Sequence, residues 1–238
     1  MKLSAASGSD GVFTPDAVDN LPPAARRWLR ASIAPGSPLA ESVVLEMTGQ
    51  IKLGAWHSFT ATQVIRPGVG FVWAATARFG PISVRGSDSF DDGSGRMTWR
   101  ALRFLPVMSA AGPDVTRSAA DRLAAESVFV PTAYRRARWV PQPDPDCCRA
   151  IWHLGGRDRV VHLRVDDAGG LREISMSRWG NPGGGPFGLH PFGVRVAEHA
   201  RFAGIRIPSV LRAFWWWGTD REPEGEFFRA RITSATYR

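Results

Sequence analysis

The stretch "ESVVLEMTGQIKLG" limits what this chain can become more than any other part of it. Val43, Leu45, Met47, Gly49, Ile51 and Leu53 alternate with Ser42, Val44, Glu46, Thr48, Gln50 and Lys52. A period of two puts one set of side chains on each side of an extended chain, so the stretch is a half-buried β-strand and not an amphipathic helix. "WHSFTATQVIRP" follows a Gly-Ala turn and should pair with it as a hairpin. "GFVWAATARF" sets Phe71, Trp73, Ala75 and Ala77 on one face, and "PISVRGSDSF" and "RMTWRALRF" flank the turn "DDGSG". The pattern returns in "CCRAIWHL", "RVVHLRV", "LREISMSRW", "VRVAEHARF", "IRIPSVLRAFWWW" and "GEFFRARITSATY". Connections this short force antiparallel neighbours, and no repeat of 20 to 50 residues points to a propeller or solenoid.

Two helical stretches interrupt the strands. "NLPPAARRWLRASIAPGSP" carries prolines suited to a first turn, Asp19 or Asn20 as cap, an apolar stripe of Trp28, Leu29 and Ile33, and outward Arg26, Arg27 and Arg30. "PDVTRSAADRLAAESVF" has Asp114 or Thr116 as cap, and Pro131 ends it. The expected fold is therefore mainly β (α+β), with about ten strands. It is either a curved antiparallel sheet or half-barrel wrapped around one or two helices, or two sheets divided by the mid-chain helix. Residues 1–19, small and polar, are expected to be a loosely ordered leader to a single β-rich domain over 20–238.

The formal net charge of +8 comes almost wholly from arginine, since Lys2 and Lys52 are the only lysines. The arginines are dispersed, which fits solvated strand faces and argues against a nucleic-acid groove. No apolar run reaches the ~18 to 20 residues of a membrane helix, and the opening has no apolar core of a secretion signal. Cys147 and Cys148 are adjacent and build neither a disulfide framework nor a zinc knuckle. Together these predict a cytoplasmic protein with no integral membrane segment.

Catalytic signatures are missing: no G-x-S-x-G elbow, Walker loop, dinucleotide fingerprint or H-E-x-x-H occurs. "NPGGGPFG" leads into no helix and is expected to be a flexible loop. Of His57, His153, His162, His190 and His199, the "GGRD" turn would set His153 near Val160 and diagonal to His162. A third ligand is lacking, so neither metal nor cofactor is expected. Two acids stand out. Glu126 lies late in the alanine-rich helix beside "VFVP", and Asp88 shares strand parity with Ile82, Val84 and Phe90. An inward acid needs a partner, and Arg178 or another strand arginine can supply it. If both acids met in one cavity they would form acid–base equipment.

Ten tryptophans and 13 phenylalanines supply the walls of such a cavity. The candidates are Trp73, Trp99, Tyr134, Trp139, Trp215, Trp217 and Phe228, with Arg178 among them. If "GTDREPEGE" reverses the last two strands, Trp215 falls opposite Phe228 and Trp216 opposite Phe227. Trp215 and Trp217 then share the apolar face, and Trp216 lies under arginines on the other.

The order of "LPPAARRWLR", "GFVWAATARF", "VRGSDSFDDGSGRM", "DRLAAESVFVPTA", the pair Arg138–Trp139 and "FAGIRIPS" resembles a bacterial family of uncharacterised proteins known only as a domain of unknown function. The resemblance covers roughly residues 20 to 238. Some members carry an N-terminal membrane anchor or signal; none is read in this sequence, a departure that puts an envelope role in doubt. The family's strand order is similar to the LolA-like fold of periplasmic lipoprotein carriers, a curved sheet enclosing an apolar cavity. No catalytic residues come with the resemblance; its recurring polar positions fall on Asp88 and Glu126. Two functions are expected to compete: binding of an apolar small molecule or lipid in the cavity, or a cofactor-independent isomerase, cyclase or hydrolase using Glu126 and Asp88 on an apolar substrate there.

Overall fold

Every period-two stretch forms a strand in the computed structural model, which describes residues 11–101 and 105–238. In chain order the strands are β1 (Val43–Leu53), β2 (Ala55–Arg66), β3 (Gly70–Phe79), β4 (Ile82–Asp91), β5 (Ser94–Ala101) and β6 (Leu105–Ala111). They continue with β7 (Arg138–Pro141), β8 (Cys147–Leu154), β9 (Arg157–Val165), β10 (Leu171–Gly180), β11 (Gly188–Phe202), β12 (Ile205–Trp215) and β13 (Glu226–Tyr237). The helices are α1 (Pro23–Ser32) and α2 (Pro113–Glu126). The described strands join one sheet of 13, ordered β6-β5-β4-β3-β2-β1-β13-β12-β11-β10-β9-β8-β7. Each half is a meander, and the first and last strands pair between the halves, from Val43↔Tyr237 to Ile51↔Phe228.

Helix α2 touches β4 and β5 on one side and β9 and β10 on the other. In a flat sheet β5 and β10, eight strand spacings apart, would stand ~38 Å from each other. A helix is only ~10 to 12 Å across with its side chains. The sheet therefore curls into a half-barrel around α2, and the alternative of two sheets is set aside. Helix α1 lies on the same concave face. Trp152 of β8 and Arg159 of β9 are opposite each other; Trp152 meets Tyr134, which packs on Trp28 of α1, while Arg159 is paired with Asp121 of α2.

Several expectations change. Strands β6 and β7 raise the number above the ten expected, and β11 begins at Gly188, inside the stretch expected to be a flexible loop. Leu102, Arg103 and Phe104 of "RMTWRALRF" lie outside the described residues. Of the expected leader, residues 1–10 lie outside the described residues too. Over 11–19, however, Val12 bridges Pro38 and Phe13 and Val18 are buried in the core. Neither helix uses its expected cap. The residues before the first turns are Pro22 and Gly112, without side-chain caps. Asp19 instead pairs with Arg30, Asp114 accepts the Trp179 indole N–H at 2.9 Å, and Thr116 accepts the Gly95 N–H at 3.0 Å. Arg27 does not face water but is half-buried against Asp146.

Candidate functional site

Between the curled sheet and α2 lies a cavity of about 300 Å³. Alternation on the central strands supplies an apolar wall, with Met47 and Ile51 from β1, Leu211 and Ala213 from β12, and Phe228, Ala230 and Ile232 from β13. Trp73 and Met97 add to it from β3 and β5, and Val128 and Phe129 close it after α2.

A charged cluster occupies part of that wall. Asp88 sits on β4 between Trp73 and Met97 of the neighbouring strands, so the parity that placed it inward holds. Glu126 ends α2 and lines the same cavity. The guanidinium of Arg122, one turn before Glu126, lies between the two acids. Its Nε donates to Glu126 Oε1 at 2.7 Å and one terminal nitrogen donates to Asp88 Oδ2 at 3.1 Å. The remaining oxygens are also engaged: Gln63 Nε2 donates to Glu126 Oε2 at 2.6 Å, and Trp99 Nε1 donates to Asp88 Oδ1 at 3.2 Å. Trp99 reaches Asp88 because its ring lies flat on Gly86, where a Cβ would stand 2.1 Å from the indole. Burial raises the Asp88 pKa above the usual carboxylate value, outweighing Arg122 and Trp99, which favour its charged form. The Arg122 guanidinium also lies over the rings of Phe71 and Trp73, at 4.7 and 5.3 Å.

Arg178 or another strand arginine was expected to be the partner of Asp88; Arg122, on helix α2, takes that place. Arg178 points from β10 into the cavity, over the rings of Phe192 at 4.8 Å and Trp215 at 5.1 Å. Arg122 and Gln63 are two charged or polar cavity residues not expected from the sequence, although each left a signal. Arg122 and Glu126 have the i, i+4 spacing of a helical ion pair. Gln63 shares strand parity with the buried Phe59, Ala61 and Ile65.

Of the expected wall residues, Trp73, Trp215, Phe228 and Arg178 line the cavity. Trp99 stands behind it as the donor to Asp88. Tyr134 and Trp139 do not reach it: they pack with Trp28 under α1, with ring centroids 4.7 Å apart for Trp28–Tyr134 and 5.5 Å for Tyr134–Trp139. Trp217 faces away. Strand β12 ends at Trp215, Trp216 takes a left-handed backbone (φ 56°), and strand alternation stops there. Trp217 then lies on the outer face over Gly193, beside Phe214 at 5.7 Å and under Arg195 at 4.9 Å. The register differs too: Ala213, not Trp215, faces Phe228, and a bulge follows between Ala213 and Phe214. Trp216 is capped by Arg221 at 3.9 Å, as an arginine-covered outer tryptophan.

The histidines do not converge. His153 faces Asp158 and His162 faces Arg149 across the β8–β9 pair. Among the described residues no group of three or more His, Cys, Asp or Glu side chains is placed to hold a metal. No described helix is long and apolar enough to cross a membrane.

Fold and site define a class of protein in which a curled antiparallel sheet encloses an apolar cavity with an ion-paired cluster in its wall. The chain belongs to a family of unknown function, DUF6920, whose family model matches residues 19–237. No curated protein matches the sequence. Among solved structures, the chain is similar to a putative outer membrane lipoprotein-sorting protein domain from Vibrio parahaemolyticus, at 7% identity and a TM-score of 0.46 over 83% of this chain and 85% of that one. It is also similar to a LolA superfamily protein from Nitrosomonas europaea, at 11% identity and a TM-score of 0.43 over 95% of this chain and 94% of that one.

Proposed function

We propose that the protein binds a lipid or another apolar small molecule in the cavity between the curled sheet and α2. The observation that carries this reading is the wall itself. A cavity of about 300 Å³ lined mainly by Met, Ile, Leu, Val, Phe and Trp side chains, with a few polar groups among them, has the form of a small-molecule site. A wall this apolar holds water poorly, so an apolar occupant gains by leaving solvent.

The test is organic extraction of gently purified protein followed by mass spectrometry, together with equilibrium dialysis of a long-chain alcohol. Ala213→Trp fills the cavity from β12 and should abolish retention of both. If the filled variant binds as well as the parent chain, the ligand does not sit in this cavity and the reading fails.

A second reading is supported by one observation: Asp88 and Glu126 line a single cavity, and burial favours the protonated form of Asp88. That pair can serve acid–base chemistry on an apolar substrate. Glu126→Gln with retained affinity and lost turnover would support it. Retained turnover in both Glu126→Gln and Asp88→Asn would exclude it.

A further inference from the structure

Three acids face the region between α2, β4 and β10: Asp88, Asp121 and Glu126. Every one of their carboxylate oxygens is already engaged. Asp88 accepts from Trp99 and Arg122, Glu126 from Arg122 and Gln63, and Asp121 from Arg159 and the Trp179 N–H. Arg178 stands beside them with no side-chain hydrogen bond or ion pair among the described residues, and its Nε is buried without an acceptor. Its guanidinium lies over the faces of Phe192 and Trp215, and the carboxylates of Glu126, Asp121 and Asp88 act on it only without contact. Ring faces stabilise a cation and fix its plane, but they leave the N–H donors at its edge unused.

The chain thus holds a cation against a cavity wall without giving it a carboxylate in direct contact, which is costly unless something else supplies one. Burial and the nearby Arg122 lower the Arg178 pKa to about 10, so it stays charged at neutral pH. Two further polar side chains line the same cavity, Ser118 on α2 and Asn181 just after β10. Neither makes a side-chain hydrogen bond among the described residues.

We propose that Arg178 is the headgroup site of the cavity, and that the ligand is an anionic amphiphile: an apolar body ending in an oxyanion, carboxylate or phosphate, that pairs with the Arg178 guanidinium. This rests on the apolar-ligand reading above and adds the charge of the ligand to it. The planar guanidinium donates two parallel N–H bonds to such a group. The apolar body lies along Ile174, Val194 and Phe228, and Ser118 and Asn181 can donate to the remaining oxygens.

The test is equilibrium dialysis of the full chain against dodecanoate, dodecyl phosphate and dodecanol, each below its aggregation concentration. Parent protein, Arg178→Met and Arg178→Lys are compared. At least one anion should bind the parent roughly tenfold to a hundredfold tighter than the alcohol, as expected of a charged hydrogen-bond pair. The two anions against each other identify the headgroup. In Arg178→Met the preference should vanish while dodecanol still binds, and Arg178→Lys should keep part of it. Equal binding of acid, phosphate and alcohol by the parent protein overturns the headgroup site and leaves the apolar-ligand reading standing. A preference that survives in Arg178→Met overturns it too. Binding of none of the three overturns both readings. Because the first comparison uses only the parent chain, it decides even if Arg178→Met does not fold.

Discussion

Replacing Arg122 with methionine removes the cation between two inward carboxylates and leaves the apolar volume nearly unchanged. Breaking a buried pair by deleting one partner costs about 3 to 5 kcal/mol, because the remaining charge keeps its desolvation penalty. Here the side chains of Arg122, Asp88 and Glu126 retain 17%, 18% and 20% of their exposure, so partial hydration puts the cost at the lower end, about 3 kcal/mol. For a chain of this size that is a melting shift of roughly 6 to 12 °C. The cost depends on pH. The folded pKa of Asp88 already lies above its unfolded value, so ionised Asp88 opposes folding, and this opposition is relieved as pH falls toward about 3.8. Without Arg122, which favours the ionised form, the folded pKa rises further. The deficit of Arg122→Met relative to the parent should therefore be largest at pH 7.5 and shrink by pH 4.5. What remains is the contact with Phe71 and Trp73, about 1 kcal/mol. Urea unfolding followed by tryptophan fluorescence at the two pH values measures it. Arg122→Met combined with Asp88→Asn and Glu126→Gln should recover most of the loss at pH 7.5. Equal deficits at both pH values, or a triple variant no more stable than the single one, would refute this account of the cluster.

Two other outcomes follow from contacts outside the cavity. Gly193→Val should displace Trp217, since a Cβ there would stand 2.0 Å from the indole; a loss of about 1 to 3 kcal/mol is expected with ligand affinity unchanged. A fall in affinity would return Trp217 to the cavity wall. Arg159→Met should cost about 3 to 5 kcal/mol, because Asp121 is fully buried and loses its ion pair. Adding Asp121→Asn should recover part of that loss in urea unfolding, and a double variant as unstable as the single one would count against a buried charge as the cause.

The fold was legible wherever one face of a strand is buried and the other wet, since burial writes the period of two into the residues. It was illegible at the sheet's margins. Strands β6 and β7 are its two outermost members, and each carries a proline, Pro106 and Pro141. Most of β6 is exposed, so no alternation marks it. The start of β11 is a margin as well. Pairing with β12 begins only at Phe192, so Gly188–Pro191 has a strand partner on the β10 side alone. Proline and glycine are tolerated at such edges, and a reading that treats them as strand breakers loses these segments.

The site divides along a different line. Parity and helix spacing bring Asp88 and Glu126 inward, because each depends on its own element's geometry. The i, i+4 spacing gives Glu126 its cation, but which cation meets Asp88 depends on how far the sheet curls, and no local pattern encodes that. For Asp88, Arg178 and Arg122 are equally available in sequence, and only the closeness of β4 to α2 selects Arg122. The same holds for the run Trp215–Trp216–Trp217. Strand alternation would put its outer members on one face, but the left-handed backbone at Trp216 sends Trp217 to the other. One indole lines the cavity beside Arg178, one is capped by Arg221 and one covers Gly193. The selection of Arg122 also has a consequence for binding. By pairing with both acids it leaves Arg178 as the cavity cation without a carboxylate in contact. Arg122→Met should therefore weaken a bound anion as well as the fold, because the freed carboxylates then compete for Arg178.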